Sequence, residues 1–146
     1  MEVNLGGSFL VTHLEIENRP DDTCQERVGI FKVIADGNLL DQLTGQPSKL
    51  VVPVHRAIQY VRVQIDGDTF LHLGALRAIG VRDSVEPSGN STDLALHKKV
   101  LTSSQHLNFV GKLLVDGDPQ TFMHTNSEVG GATILLFSFF SCFPLC

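Results

Sequence analysis

Residues 58–65 read IQYVRVQI, and this stretch decides the fold class because its side chains alternate in character. Val61, Val63 and Ile65 are apolar and β-branched, whereas Arg62 and the other residues between them are polar or amphipathic. A period of two residues places the apolar side chains on one face of an extended strand. The stretch therefore predicts a strand that buries one face in a core and exposes the other.

The same period recurs along the first half of the chain, and short turn motifs separate its occurrences. No segment shows a sustained helical period. Short strands at this spacing predict an all-β protein, an antiparallel β-sandwich or jelly roll. The further predicted strands are Leu10–Glu17, Val28–Ala35, Leu50–Val54 and Phe70–Ile79, and the predicted turns lie at Gly6–Gly7, Asp36–Asn38, Thr44–Gly45 and Asp66–Asp68.

Composition excludes several classes of function. The chain has 146 residues, which is enough for one domain with a sizeable core, and its net charge of -5 argues against a nucleic-acid surface. A hydrophobic fraction of 42% and a charged fraction of 18% are typical of a folded chain. No phosphate loop, paired-cysteine zinc motif, HExxH helix or nucleophile motif is present. We therefore expect a protein that is not an enzyme.

Two segments differ in composition from the predicted strands. Val85–Thr92 (VEPSGNST) is a loop by composition and contains the N-glycosylation acceptor triplet at Asn90. Ala132–Cys146 (ATILLFSFFSCFPLC) is an apolar tail, shorter than the roughly 20 residues that span a bilayer. We interpret the tail as a misread gene end or a short anchor, and expect membrane contact only there.

The cysteines and the start of the chain bear on its compartment. Cys24, Cys142 and Cys146 are odd in number and irregular in spacing, so they form no disulfide framework. No basic and apolar signal peptide follows Met1. Either the protein is cytosolic or Met1 marks a fragment boundary, and we favour the fragment.

Three segments in consistent register resemble one known family. YVRVQIDGDTFLHLGALRAIG (Tyr60–Gly80) is similar to the pattern RYVRVQL…G…LHLCEVEVFG, and EVNLGGSFLVTHLEIENR (Glu2–Arg19) to the strand that follows a WW pair. DLALHKKVLTSSQHLNFVGKLLVDGDPQTFMHTNSE (Asp93–Glu128) is similar to NLALGKPVTQSS…AVDGDPxTFxHTNSE. These are patterns of the discoidin family, the coagulation-factor five/eight type C domains, and most resemble its fucose-binding F-type lectin branch. The resemblance implies a jelly roll with adjacent termini.

The order of the resembling segments is reversed relative to the family. Residues 1–83 resemble the C-terminal half of a discoidin-like domain, and residues 93–128 its N-terminal half. Residues 84–92 then form a linker, and residues 129–146 the apolar tail. Because termini of compact domains often lie close together, we expect the halves to pack as one circularly permuted domain. A domain-swapped dimer is the alternative. The chain has no tryptophan, so the family's WW pair is missing.

The resemblance also implies a binding site made of one histidine and two arginines. His124 matches the histidine of the family's HT motif, while Arg19 and Arg27 match the arginines of NRxDxxxER. The segment RPDDTCQER is one residue longer than the usual spacing, which affects Arg27. Guanidinium and neutral imidazole groups suit the oxygens of a neutral sugar. Phe122 or Cys24 would supply an apolar wall.

Without the resemblance, the same residues have plainer interpretations. Arg19 and Arg27 then belong to a solvated loop with ordinary ion pairs, and His124 is a turn histidine. The other histidines receive the same interpretation: His13, His55, His72, His97 and His106.

F-type lectins tend to hold a structural calcium ion, and part of its loop is recognisable here. Asp116 and Asp118 lie in the VDGD turn with Thr121 nearby. The family's glutamate ligand corresponds to Ala75, because the CE pair reads Gly74-Ala75. Calcium prefers six to eight oxygen ligands, so we expect Ca²⁺ binding to be weak or absent. Asp116 and Asp118 are otherwise turn formers.

The expected function is recognition of terminal fucose or a similar sugar by a non-catalytic module, secreted or extracellular in its parent protein. A second candidate is a discoidin-type adhesion module that binds protein or phospholipid, although the candidate loops 18–24 and 42–48 are polar. A third candidate is an accessory module of a larger enzyme, and a fourth is a non-functional fragment of a tandem discoidin protein.

Overall fold

The structure is a computed structural model that describes residues 1–21, 30–45, 48–67, 69–81 and 91–126. Several sequence-based predictions therefore lie outside the described residues. They are Arg27, Cys24, most of the linker with Asn90, and the tail at residues 129–146.

The described residues form an antiparallel sheet of seven strands in the order β3-β2-β4-β1-β6-β7, with β8 also pairing with β1. A second sheet pairs β5 with β9. The main strands are β1 (Glu2–Glu17), β2 (Ile30–Ala35), β3 (Asn38–Thr44), β4 (Lys49–Asp66) and β6 (Ala75–Val81), and the short elements are β5 (His72–Leu73), β7 (Thr92–Asp93), β8 (Lys99–Leu101), a 3₁₀ helix (Gly111–Val115) and β9 (Met123–His124).

The all-β class predicted from the sequence is confirmed, and the two sheets are consistent with a sandwich. The alternating stretch Ile58–Ile65 lies within β4, where Ile58, Val61 and Val63 are buried. Val61 and Val63 face the core because a strand directs alternate residues to the same side, whereas Ile58 lies on the other parity, so the buried side of β4 changes between residues 58 and 61. Among the described residues, none lies in a helix long and apolar enough to cross a membrane.

Three predictions of strand bounds were wrong, one of which is Phe70–Ile79: its residues are divided at Gly74 between β5 and β6, which belong to different sheets. The turn expected at Gly6–Gly7 is part of β1, whose pairing with β4 shifts register between Asn4 and Phe9. The strands expected at Leu50–Val54 and Ile58–Ile65 form the single strand β4. A bulge absorbs extra residues without ending a ladder, and Gly6 adopts the positive φ of 86° that suits glycine.

One apolar core includes residues from both halves of the chain. Leu14, Phe31 and Leu76 come from the first half, and Leu114 and Met123 from the second. The ladders β1–β8, β6–β7 and β5–β9 also join the two halves. Packing between remote segments thus positions the candidate site residues, of which His124 lies in β9 and Arg19 follows β1.

Candidate functional site

His124 is held between two segments that are remote from each other in the chain. It pairs with His72 across the β5–β9 ladder. On its other side, the N–H of His106 donates to the His124 carbonyl oxygen at 2.9 Å, and the N–H of His124 donates to the Phe109 carbonyl oxygen at 3.1 Å. These bonds fix its backbone, so the direction of its imidazole is set by both halves.

Arg19 follows the end of β1, where a buried turn fixes its backbone. The side-chain oxygen of Asn18 accepts a bond from the Arg19 N–H at 2.8 Å, and the N–H of Asn18 donates to the Ser48 carbonyl oxygen at 2.9 Å. Gly74 packs so closely here that a Cβ on it would lie 2.5 Å from the Asn18 carbonyl oxygen. The chain can therefore make this approach only with glycine at position 74.

The guanidinium of Arg19 lies over an aromatic ring and beside a carboxylate. Its Cζ is 4.4 Å from the centroid of Phe122, which is cation–π geometry. Both Nε and Nη2 donate to Asp21 in a two-bond fork, and the Arg19 side chain is only 11% exposed. Asp21 and Phe122 together fix the plane of the guanidinium.

Aromatic rings line the space around His124. Phe109 and Phe122 stack with centroids 4.6 Å apart, and Phe70 lies 5.3 Å from His124. The imidazole of His106 is closer still, with its centroid 5.0 Å from that of His124. Arg19, Phe122, Phe109, His106 and His124 therefore form one continuous cluster of planar groups, which we call the aromatic cluster.

The environment favours the neutral form of His124. Burial lowers its pKa below the ordinary value for histidine, and the positive charge of Arg19 and the proximity of His106 lower the pKa further. The Thr125 carbonyl opposes this shift in pKa by bonding to Nδ1. A carbonyl oxygen accepts only, so Nδ1 carries the hydrogen and Nε2 of the neutral ring is an acceptor.

Of the three residues that the resemblance implied for the sugar site, the structure describes two, and both belong to the aromatic cluster, linked through Phe122 and Phe109. His124 and Arg19 come from opposite halves, and Arg19 is among the charged groups that act on His124. Arg27 lies outside the described residues. Sequence reasoning did not place His106 or Phe109 beside His124, because no local signal in a sequence indicates which remote side chains will meet.

The acidic turn after the 3₁₀ helix gathers oxygen atoms around one hydroxyl. Thr121 Oγ1 lies 2.9 and 3.1 Å from the two carboxylate oxygens of Asp116. It also lies 3.1 Å from the Asp118 carbonyl oxygen and 3.3 Å from that of Leu113. A hydroxyl has one hydrogen to donate, so this turn presents more acceptors than Thr121 can satisfy.

The described residues supply only part of the coordination that a calcium ion needs. A cleft is lined by residues 74–77 and 114–118 together with Asp93, so Ala75 shares it with Asp116 and Asp118. No group of three or more His, Cys, Asp or Glu side chains in the part that the structure describes is arranged to hold a metal. The carboxylates of Asp116 and Asp118 with a few carbonyl oxygens fall short of the six to eight oxygens that calcium prefers.

Comparisons with known proteins find no protein that is similar to this chain. A scan against protein-family models finds no match, and searches of curated proteins and of solved structures find no significant match.

Proposed function

We propose that this protein is a non-catalytic carbohydrate-binding module of the F-type lectin kind, which recognises terminal fucose or a similar sugar. The observation that carries the proposal is the meeting of Arg19 and His124, one from each half of the chain, on the same aromatic cluster. The proposal also holds that the chain is a circularly permuted domain of the discoidin kind and that its parent protein is extracellular.

The chemistry of the aromatic cluster suits a neutral sugar. Nε2 of neutral His124 accepts a hydrogen bond from a sugar hydroxyl, and the guanidinium of Arg19 donates to ring and hydroxyl oxygens. The rings of Phe122 and Phe109 supply the apolar wall on which the carbon face of a sugar packs. We include Arg27 as the second arginine of the site by the motif match.

Replacement of Arg19 tests the site directly. We expect Arg19→Ala to weaken L-fucose binding by at least about tenfold in calorimetry, because hydrogen bonds to a charged donor contribute about 1.5–3 kcal/mol. Arg56→Ala is the matched control, since Arg56 bonds to the Ala35 carbonyl oxygen in another part of the fold. Arg27→Ala should weaken binding as well.

Arg19→Lys separates binding from folding in this experiment. Lysine keeps the charge beside Asp21 but lacks the planar fork, so the variant should stay folded and still bind poorly. Unchanged affinity in a folded Arg19→Ala protein would overturn the site, and no L-fucose binding by the unaltered protein would overturn the function.

We propose in addition that the acidic turn binds Ca²⁺ weakly through Asp116, the carbonyl oxygens of Leu113 and Asp118, and Thr121. A bound ion would be coordinated by the oxygen atoms that the single hydroxyl hydrogen of Thr121 cannot bond. The incomplete coordination comes from Ala75, which stands where the resembling family has a glutamate.

Ala75→Glu should convert the weak calcium site into a stronger one. Ala75 lines the same cleft as Asp116 and Asp118, so a glutamate there adds a carboxylate to that cleft. We expect millimolar Ca²⁺ to raise the melting temperature of Ala75→Glu by more than that of the unaltered protein. Ala75→Gln is the control of equal size, and an equal calcium response in both variants would contradict the site.

A second candidate is a discoidin-type adhesion module that binds protein or phospholipid. The observation that favours it is Leu107, an apolar residue that is 72% exposed in the loop beside the aromatic cluster. Pelleting with phosphatidylserine vesicles compares the unaltered protein with Leu107→Ser. Sedimentation that depends on Leu107 would favour this candidate over sugar binding.

A further inference from the structure

His106 and His124 form a pair that the backbone holds together. Their ring centroids are 5.0 Å apart, and the planes are tilted by 43°. The two backbone bonds that link residues 106 and 109 to residue 124 hold the main chains of the two histidines side by side. The side-chain amide of Asn126 adds a further link, since its nitrogen donates to the Gln105 carbonyl oxygen at 3.1 Å.

The same amide sets the tautomer of His106. Because the Asn126 nitrogen faces Gln105, its oxygen faces His106 and accepts from Nδ1 at 3.2 Å. His124 also carries its hydrogen on Nδ1, which bonds to the Thr125 carbonyl oxygen. In both neutral rings Nε2 is therefore the acceptor, and protonation converts Nε2 of either ring from an acceptor into a donor.

Among the residues that the structure describes, the groups packed around the pair offer a second proton little stabilisation. The His72 ring of β5 lies 5.9 Å from that of His124, and the positive charge of Arg19, which follows β1, opposes protonation of His124. Phe70 and Phe109 complete the ring contacts to His124. The carboxylate of Asp21 is bonded to the Arg19 guanidinium. Protonated imidazoles here would add like charge to Arg19 inside a half-buried site.

We propose that His106 is a second ligand-binding histidine and that the pair makes sugar binding sensitive to acid. The inference rests on the proposed sugar binding. Neutral His106 and His124 accept hydrogen bonds from ligand hydroxyls. In acid each ring loses its acceptor, and the cations repel each other and Arg19. Affinity is therefore constant above the titration range of the pair and falls as the pH drops through it.

Calorimetry with L-fucose between about pH 5 and pH 8 tests the proposal. When both rings must be neutral, the dissociation constant rises by up to about a hundredfold for each pH unit below the titration range. His106→Gln should bind L-fucose more weakly at the upper end of that pH range. Its dissociation constant should also rise less steeply as the pH falls. His55→Asn is the control, because His55 is exposed on β4 at a φ of 49°, which asparagine tolerates.

Proton NMR of the ligand-free protein tests the pairing without any sugar. The pKa of His124 should rise in His106→Gln, because the variant removes a neighbouring imidazole whose charge opposes protonation. Two results for His106→Gln would overturn the inference. One is an unchanged pKa of His124, and the other is a dissociation constant that rises with falling pH as steeply as in the unaltered protein. Failure of the unaltered protein to bind L-fucose at any pH would overturn the proposed function, even if the NMR shows the pairing.

Discussion

Gly74 is the residue on which the backbone position of Arg19 depends most directly. An added Cβ would lie 2.5 Å from the Asn18 carbonyl oxygen, a distance that backbone atoms can relieve only by moving. The N–H of Gly74 also donates to the Glu17 carbonyl oxygen at 3.0 Å, so the two segments are bonded where they are closest. The absence of a side chain at position 74 therefore allows the close approach that places Arg19.

We expect Gly74→Ala to displace Asn18 and Arg19 and to lower both stability and sugar affinity. The free energy of unfolding should fall by about 1–3 kcal/mol, as is usual for overpacking, and L-fucose binding should weaken. Gly7→Ala is the matched control, because a Cβ there meets only the Phe9 ring at 3.4 Å. Urea unfolding and calorimetry measure the two effects, and equal behaviour of the variants would contradict this role of Gly74.

At the scale of elements, an ion-pair ladder crosses three strands on one face of the large sheet. Glu15 and Glu17 of β1 lie between Lys49 of β4 and Arg77 of β6. The shortest contact joins Arg77 Nη1 to Glu17 Oε1 at 2.7 Å. That hydrogen bond is the main reason why the pKa of Glu17 lies below its usual value, and the charges of Arg77 and Lys49 add to it.

This ladder predicts a loss of stability in acid. A carboxylate whose pKa is lowered by folding stabilises the protein above its unfolded pKa, and the contribution is lost as the pH falls through the folded pKa. Because the side chains of Glu17 and Arg77 are each 29% exposed, we expect Glu17→Gln to remove only about 0.5–1 kcal/mol near neutral pH. Urea unfolding at neutral pH and in acid below the folded pKa should show the difference shrinking towards acid, whereas a constant difference would contradict the assignment.

At the scale of the whole molecule, the second half completes the core of the first. Leu94, Leu114 and Met123 are buried in the same cluster as residues of β1, β2 and β4. Strands from both halves also share ladders within one chain. A domain-swapped dimer would make the same contacts between two chains. Its formation therefore stays a prediction, which sedimentation analysis of the molecular mass tests.

Met123→Ala should destabilise both halves together. Removing a fully buried methionine side chain costs about 2–5 kcal/mol, and the loss is shared if the halves unfold as one unit. Hydrogen exchange should therefore accelerate in β2 and β4 as well as near residue 123. Leu96→Ala is the control, since Leu96 is 41% exposed. Acceleration confined to residues 91–126 would show that the halves are independent.

The sequence by itself determined the all-β class and the core-facing side of the alternating stretch Val61–Ile65, whereas several strand bounds differed from the prediction. A period of two residues is a local property, and burial of Val61 and Val63 follows from it directly. The resemblance paired Arg19 with His124 as site residues, and both lie in the aromatic cluster, although their role in sugar binding stays a prediction. The class and the buried faces could be predicted because they depend on residue type and on spacing along the chain.

Only the tertiary structure decided how β1 and β4 run through their bulges and which side chains surround His124. Nothing near position 106 in the sequence indicates that its ring lies 5.0 Å from that of His124. Such contacts arise because segments far apart in the chain bury apolar surface against one another, and the free energy of that burial depends on the whole fold. Local patterns contain no information about which remote surfaces will meet.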